Sequence, residues 1–262
     1  MKPTMALAGF SLLVCALGNA QERVVIPARN STRPRQVFVK TMNHTITVKT
    51  YSGREVIVEA GSSGRERRTP PPDAAGMKRL DVPRGLEVIE EDNVIHIKPS
   101  IMSPGPVTVT VPVDTSLNLE AMNASINVDG VHGEVVAHSH NGHIELTNIS
   151  GTVVADTMNG TILVTMDRVD QSKPLSFSTF NAKIDVTLPA DVKATAKFKT
   201  TNGAIYSDFE VAAGAPVMEP DNSGQGRYRV RFDRGLQGTI NGGGVQMSFN
   251  TFNGTIYLRK KK

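Results

Sequence analysis

The chain has 262 residues, with 29 Lys and Arg against 25 Asp and Glu for a formal charge of +4, 5% aromatic residues, no tryptophan and one cysteine. That length suits one large domain or two small ones, and a lone cysteine excludes a disulfide framework. The basic runs at 65–68 and 259–262 have no aromatic residues interleaved, so a nucleic-acid groove, which needs both features together, is not expected.

Residues 1–20 have the layout of a secretory signal peptide. Lys2 opens it, an apolar run from Met5 to Leu17 follows, and Gly18 and Ala20 place small residues at a cleavage site. The run is too short to span a bilayer, and no later segment approaches 18 apolar residues, so no transmembrane segment is expected in the mature chain. Cleavage after Ala20 predicts an exported protein, periplasmic or at the cell surface, that keeps no cysteine for disulfides or thiolate metal sites. Val14 stands where a lipoprotein signal wants a small residue, which disfavours acylation of Cys15.

Residues 21–118 read as an irregular N-terminal β region. Phe38 to Lys49 and Glu55 to Ala60 are predicted strands around a turn at Tyr51-Ser52-Gly53-Arg54. The segment 61–76, rich in Ser, Arg and Pro, reads as a mobile loop. Leu86 to Ile89 and Val94 to Lys98 predict a hairpin, and Val107 to Val111 a strand ending at Pro112.

Residues 119–258 carry β-strand repeats, and a first copy lies upstream. The segments TMNHTITV (41–48), AMNASINV (121–128), SHNGHIEL (139–146), TMNGTILV (157–164), TFNAKIDV (179–186), TTNGAIYS (200–207) and TFNGTIYL (251–258) share an asparagine with isoleucine three residues later. From Asn123 onward the asparagines fall at 141, 159, 181 and 202, about 18–22 residues per coil, and then at 253. Each copy alternates with period two, the strand signature. Positions four before the asparagine (Leu119, Ala137, Ala155, Phe177, Phe198, Phe249) and two before it (Ala121, Ser139, Thr157, Thr179, Thr200, Thr251) are predicted to face inward.

Two architectures fit this pattern. Asn-Gly between alternating strands suits a hairpin meander or β-sandwich, but that turn requires positive φ, and Ala124, Ala182 and His44 occupy the second turn position in three copies. The favoured reading is an all-β, repeat-built parallel β-solenoid, one coil per repeat, with equivalent side chains stacked. Val211 to Gly226 reads as a loop interrupting the repeats. The basic tail 259–262 is expected to blunt edge pairing at the end of the stack.

The VTVTVP run at 107–112, the N-[GA]-x-I repeats, Leu188-Pro189 and the closing NGTIYL resemble the bacterial putative-adhesin family of unknown function, over roughly residues 37–258. The resemblance implies an exported β-repeat scaffold outside a membrane and supplies no catalytic residues.

Candidate chemistry is sparse. Glu145 and Asp185 are the carboxylates a β-helical glycosidase could use, but they fall two coils apart with Leu163 between, and solvated strand-face carboxylates explain them as well. His138 and His140 share a face, and an 18-residue coil stacks Glu120 and Asp156 beside His138; this is either a metal ligand set or a surface ladder of alternating charge. The phosphate-binding and calcium-nonapeptide motifs are missing, and no cofactor is expected. Four of the N-x-[ST] sequons coincide with the repeat and read as corner residues.

One slot points to binding. The residue before each asparagine is Met42, Met122, His140, Met158, Phe180, Thr201 or Phe252, and strand parity turns it outward if its neighbours face in. A row of exposed Met and Phe marks a contact surface; a corner bulge that buried them would remove it. The expectation is therefore a non-catalytic, adhesin-like envelope protein that binds an unidentified envelope polymer or protein through Met122, His140, Met158, Phe180 and Phe252. The alternative is a carbohydrate-active enzyme of the β-helix type.

Overall fold

The computed structural model describes residues 21–28, 34–61, 85–100, 105–214, 218–221, 229–232 and 235–262. The signal-peptide reading of 1–20 and all of the predicted loop 61–76 beyond Gly61 lie outside the described residues. Within them the protein is all-β, with no helix.

The first half of the chain holds β1 (Gln21–Ile26), β2 (Arg35–Thr41), β3 (Ile46–Tyr51), β4 (Val56–Gly61), β5 (Leu86–Glu91), β6 (Val94–Pro99), β7 (Val107–Pro112), β8 (Thr115–Ala121), β9 (Ile126–Asp129) and β10 (Glu134–Ser139). After it come β11 (Ile144–Thr157), β12 (Ile162–Val169), β13 (Leu175–Thr179), β14 (Ile184–Leu188), β15 (Ala194–Thr200) and β16 (Ile205–Ser207). The rest are β17 (Ala212–Ala213), β18 (Met218–Asp221), β19 (Arg229–Phe232), β20 (Leu236–Ile240), β21 (Val245–Thr251) and β22 (Ile256–Lys260).

Each repeat contributes one strand before its asparagine and one after, and the two kinds build separate parallel ladders. The strands before the corner run β6, β2, β8, β10, the second half of β11, β13, β21, β15. Those after it run β7, β3, β9, the first half of β11, β12, β14, β22, β16. β11 belongs to both because it bends between them, at a register shift after Leu146 where Asn148 takes φ 55°. Antiparallel strands close the two ends: β1, β4 and β5 at one, β20 and β17 at the other. A meander does not describe the repeats, whose ladders are parallel.

The corner explains why. Neither the corner asparagines nor the glycines after them adopt positive φ, so Asn-Gly here is not a hairpin turn. The chain instead stacks corner on corner. The Asn141 N–H donates to Met122 O at 2.9 Å, and the Asn159 N–H donates to His140 O at 3.0 Å. Glycine serves close approach: a Cβ on Gly142, Gly160, Gly203 or Gly254 would run into the carbonyl oxygen of Ala124, Gly142, Gly254 or Ala182 respectively. The side-chain amides form a ladder of their own. Asn123 donates to Asn43, Asn141 to Asn123, Asn159 to Asn141, Asn181 to Asn159, Asn253 to Asn181 and Asn202 to Asn253, each at 2.8–3.0 Å.

That ladder corrects the expectation for the basic tail. The corner at Asn253 lies between those of Asn181 and Asn202, so β21 and β22, last in the chain, are interior strands. The basic residues 259–262 therefore do not blunt an end of the stack. Arg259 reaches back to Asp185 and Lys261 to Asp167. The segment 211–226 is not a plain loop either, since β17 pairs with β20 and β18 with β19.

The core lies between the two ladders. Ile46, Ile126, Ile144, Ile162, Ile184 and Ile256 stack in register and are fully buried. Opposite them, Phe177, Phe249 and Phe198 stack with ring centroids 5.1 and 4.9 Å apart. Asp92 and Asn93, at φ 50° and 68°, make the tight turn of the predicted β5–β6 hairpin.

Candidate functional site

The site is built by parity and by the corner hydroxyls. Two residues before the asparagine, Ser139, Thr157, Thr179 and Thr251 are buried, and each donates its hydroxyl to a corner carbonyl of the neighbouring coil, at 2.9–3.2 Å. A buried hydroxyl needs such a partner. With that side chain pinned inward, the next residue must point out. Met42, Met122, Met158, Phe180 and Phe252 are 42–49% exposed, and His140 is exposed as well.

The ladder sets their order along the molecule: Met42, Met122, His140, Met158, Phe180, Phe252, then Thr201. The structure thus places all five predicted contact residues in one row, with Met42 continuing it. At about 4.8 Å per step the six large side chains extend roughly 24 Å. Phe180 and Phe252 stack at 4.8 Å with their planes 2° apart. The row is ordered rather than a scatter of single apolar residues.

A polar row flanks it, two residues earlier on each strand: Lys40, Glu120, His138, Asp156, Ser178 and Asn250. The predicted stacking of Glu120, His138 and Asp156 is present. Lys40 takes Glu120 in an ion pair at 2.6 Å, and the described residues contain no group of three or more His, Cys, Asp or Glu placed to hold a metal. Lys40 and Glu120 thus form one oppositely charged pair within the row.

The other face corrects the reading of Asp185. It is not a solvated carboxylate but 5% exposed, clamped by Arg259 through Nε at 2.7 Å and the terminal nitrogen at 3.2 Å, with Lys183 at 3.6 Å. The hydrogen-bonded Asp185 carboxylate in turn raises the pKa of the Arg259 guanidinium. Glu145 is exposed two coils away, across Leu163. Beside this cluster Tyr257 and Tyr206 stack at 5.5 Å, with Arg259 over the Tyr257 ring. Sequence reasoning missed this pair, although both tyrosines stand four residues after their asparagine. An open hollow of about 530 Å³ on the same sheet is lined by Lys49, Asn127, Asp129, Glu145, Thr147 and Asn148 among others. Asp129 there already accepts from Thr147 and Asn148 at 3.0 and 2.8 Å.

No family model and no curated protein matches the chain. Among solved structures it is similar to a "putative cell adhesion protein" from Clostridium sporogenes, at 8% identity and a TM-score of 0.45 over 93% of this chain and 100% of that one. It is also similar to a "putative adhesin" from Bacteroides fragilis, at 11% identity and a TM-score of 0.29 over 93% and 98%.

Proposed function

We propose that this protein is an exported, non-catalytic, adhesin-like binding protein whose contact surface is the Met and Phe row along its corners. The observation that carries the reading is the concentration of exposed apolar side chains. Of nine large hydrophobics exposed among the described residues, five stand in this one row. Single exposed apolar residues are ordinary, whereas an aligned set in a water-soluble fold marks a contact surface. Methionine adapts its shape to a partner, and the Phe180–Phe252 stack gives the row a rigid end. The partner class is an envelope polymer or an envelope protein. The non-catalytic reading is supported by Asp185 being buried and bonded to Arg259, two coils from the exposed Glu145.

The test is a paired measurement on wild type and on the double variant M158S/F180S. The melting temperature should stay within a few degrees, since both side chains are about half exposed. Retention on the isolated cell envelope should fall at least tenfold. Unchanged retention would overturn the assignment of the row.

A further inference from the structure

We infer that the row is self-complementary and that its partner is a second copy of this chain, laid corner to corner and antiparallel. The inference rests on the row being a contact surface and names what it contacts. In spatial order the six large side chains are Met42, Met122, His140, Met158, Phe180 and Phe252. A two-fold axis crossing the row between His140 and Met158 reverses that order in the second copy. Met42 then faces Phe252, Met122 faces Phe180, and His140 faces Met158, each twice. Every methionine at the ends meets a phenylalanine, and sulfur against an aromatic ring is favourable.

The flanking row obeys the same axis. Lys40 comes opposite Asn250, Glu120 opposite Ser178, and His138 opposite Asp156, so no like charges meet and an imidazole N–H comes opposite a carboxylate that can accept from it. On the other side of the corner Thr45 faces Thr255, Ser125 faces Lys183 and His143 faces Thr161, again without a like-charge contact. A parallel arrangement sets His140 against His140, Met against Met and Phe against Phe. The antiparallel arrangement is isologous and closed, which ends assembly at a dimer. The row is a single side chain wide and about 24 Å long at the spacing of stacked strands, short of the area of a standard interface, so the dimer belongs to the weak, concentration-dependent class.

Sedimentation equilibrium of the full-length protein across a wide concentration range should show a reversible monomer–dimer equilibrium, and M122S/F180S should raise the dimer dissociation constant at least tenfold. Orientation is read in a C15S background by mixing H140C with M158C under mild oxidation. From an equimolar mixture, the mixed disulfide should clearly exceed the half of all disulfides that random pairing gives. Dominant homodimer disulfides, or a dimer indifferent to M122S/F180S, would overturn the antiparallel pairing. A wild-type chain that remains monomeric while M158S/F180S still loses envelope retention would overturn self-pairing and leave the row as a surface for another partner. A monomer whose retention also ignores that change would remove both.

Discussion

At the residue scale, the repeat works because three neighbouring side chains have different jobs. The buried hydroxyl ties the coil to its neighbour, the asparagine extends the amide ladder, and the residue between them is left in water. Inward positions should therefore be sensitive and outward ones not. Ile162→Ala, which empties a fully buried slot between Ile144 and Ile184, should cost about 2–5 kcal/mol. Thr161→Ala should cost little, because its main-chain N–H keeps its bond to His143 Nδ1 at 3.0 Å. Chemical denaturation of the two variants decides this, and equal small effects would mean the inward face is misassigned. The corner glycines give a sharper case. Gly160→Ala should destabilise by roughly 1–3 kcal/mol, because its Cβ meets the Gly142 carbonyl and that oxygen also accepts from Thr157. Ala182→Gly, at the equivalent corner, should cost about 1 kcal/mol or less, from chain entropy alone.

At the scale of the strand and the coil, the unexpected feature is the place of the last coil. β21 and β22 pair with β13 and β14 on one side and β15 and β16 on the other. Their side chains Phe249, Ile256 and Leu258 are buried in the middle of the core. Removing residues 245–262 should therefore do more than trim an end. It unpairs both neighbouring coils and leaves Asp185 buried without Arg259. Hydrogen exchange should show loss of protection at 194–207 as well as a large fall in melting temperature. A truncated protein that keeps protection there would mean that β13 and β15 can pair directly. Sequence periodicity could not show this order. Every copy carries the same inward pattern, so each can stack on any other, and the spacing of 51 residues between Asn202 and Asn253 sets no neighbour. In the folded chain Phe249 lies between Phe177 and Phe198.

At the scale of the whole molecule, the fold offers length rather than enclosure. Stacking by about 4.8 Å per coil turns one exposed side chain per repeat into a line, and that line is the surface to which binding is assigned here. A signal-like start fits a protein that works outside the cell. Mass spectrometry of the native protein should find Gln21 as its first residue in an exported fraction, and an uncleaved cytosolic chain would contradict the export reading.

Strand class, the inward and outward parity of each repeat and hence the Met and Phe row were legible in the alternation of residues alone. Period-two alternation is local, and a one-residue slip would bury the polar face, so those features survive without knowledge of the fold. The interior place of the last coil, and the meeting of Asp185, Arg259, Tyr206 and Tyr257, emerge only in the folded chain. Those depend on which distant repeats pack together, and the long-range pairing of near-identical units is settled by core volume and buried charge, which a linear pattern does not encode.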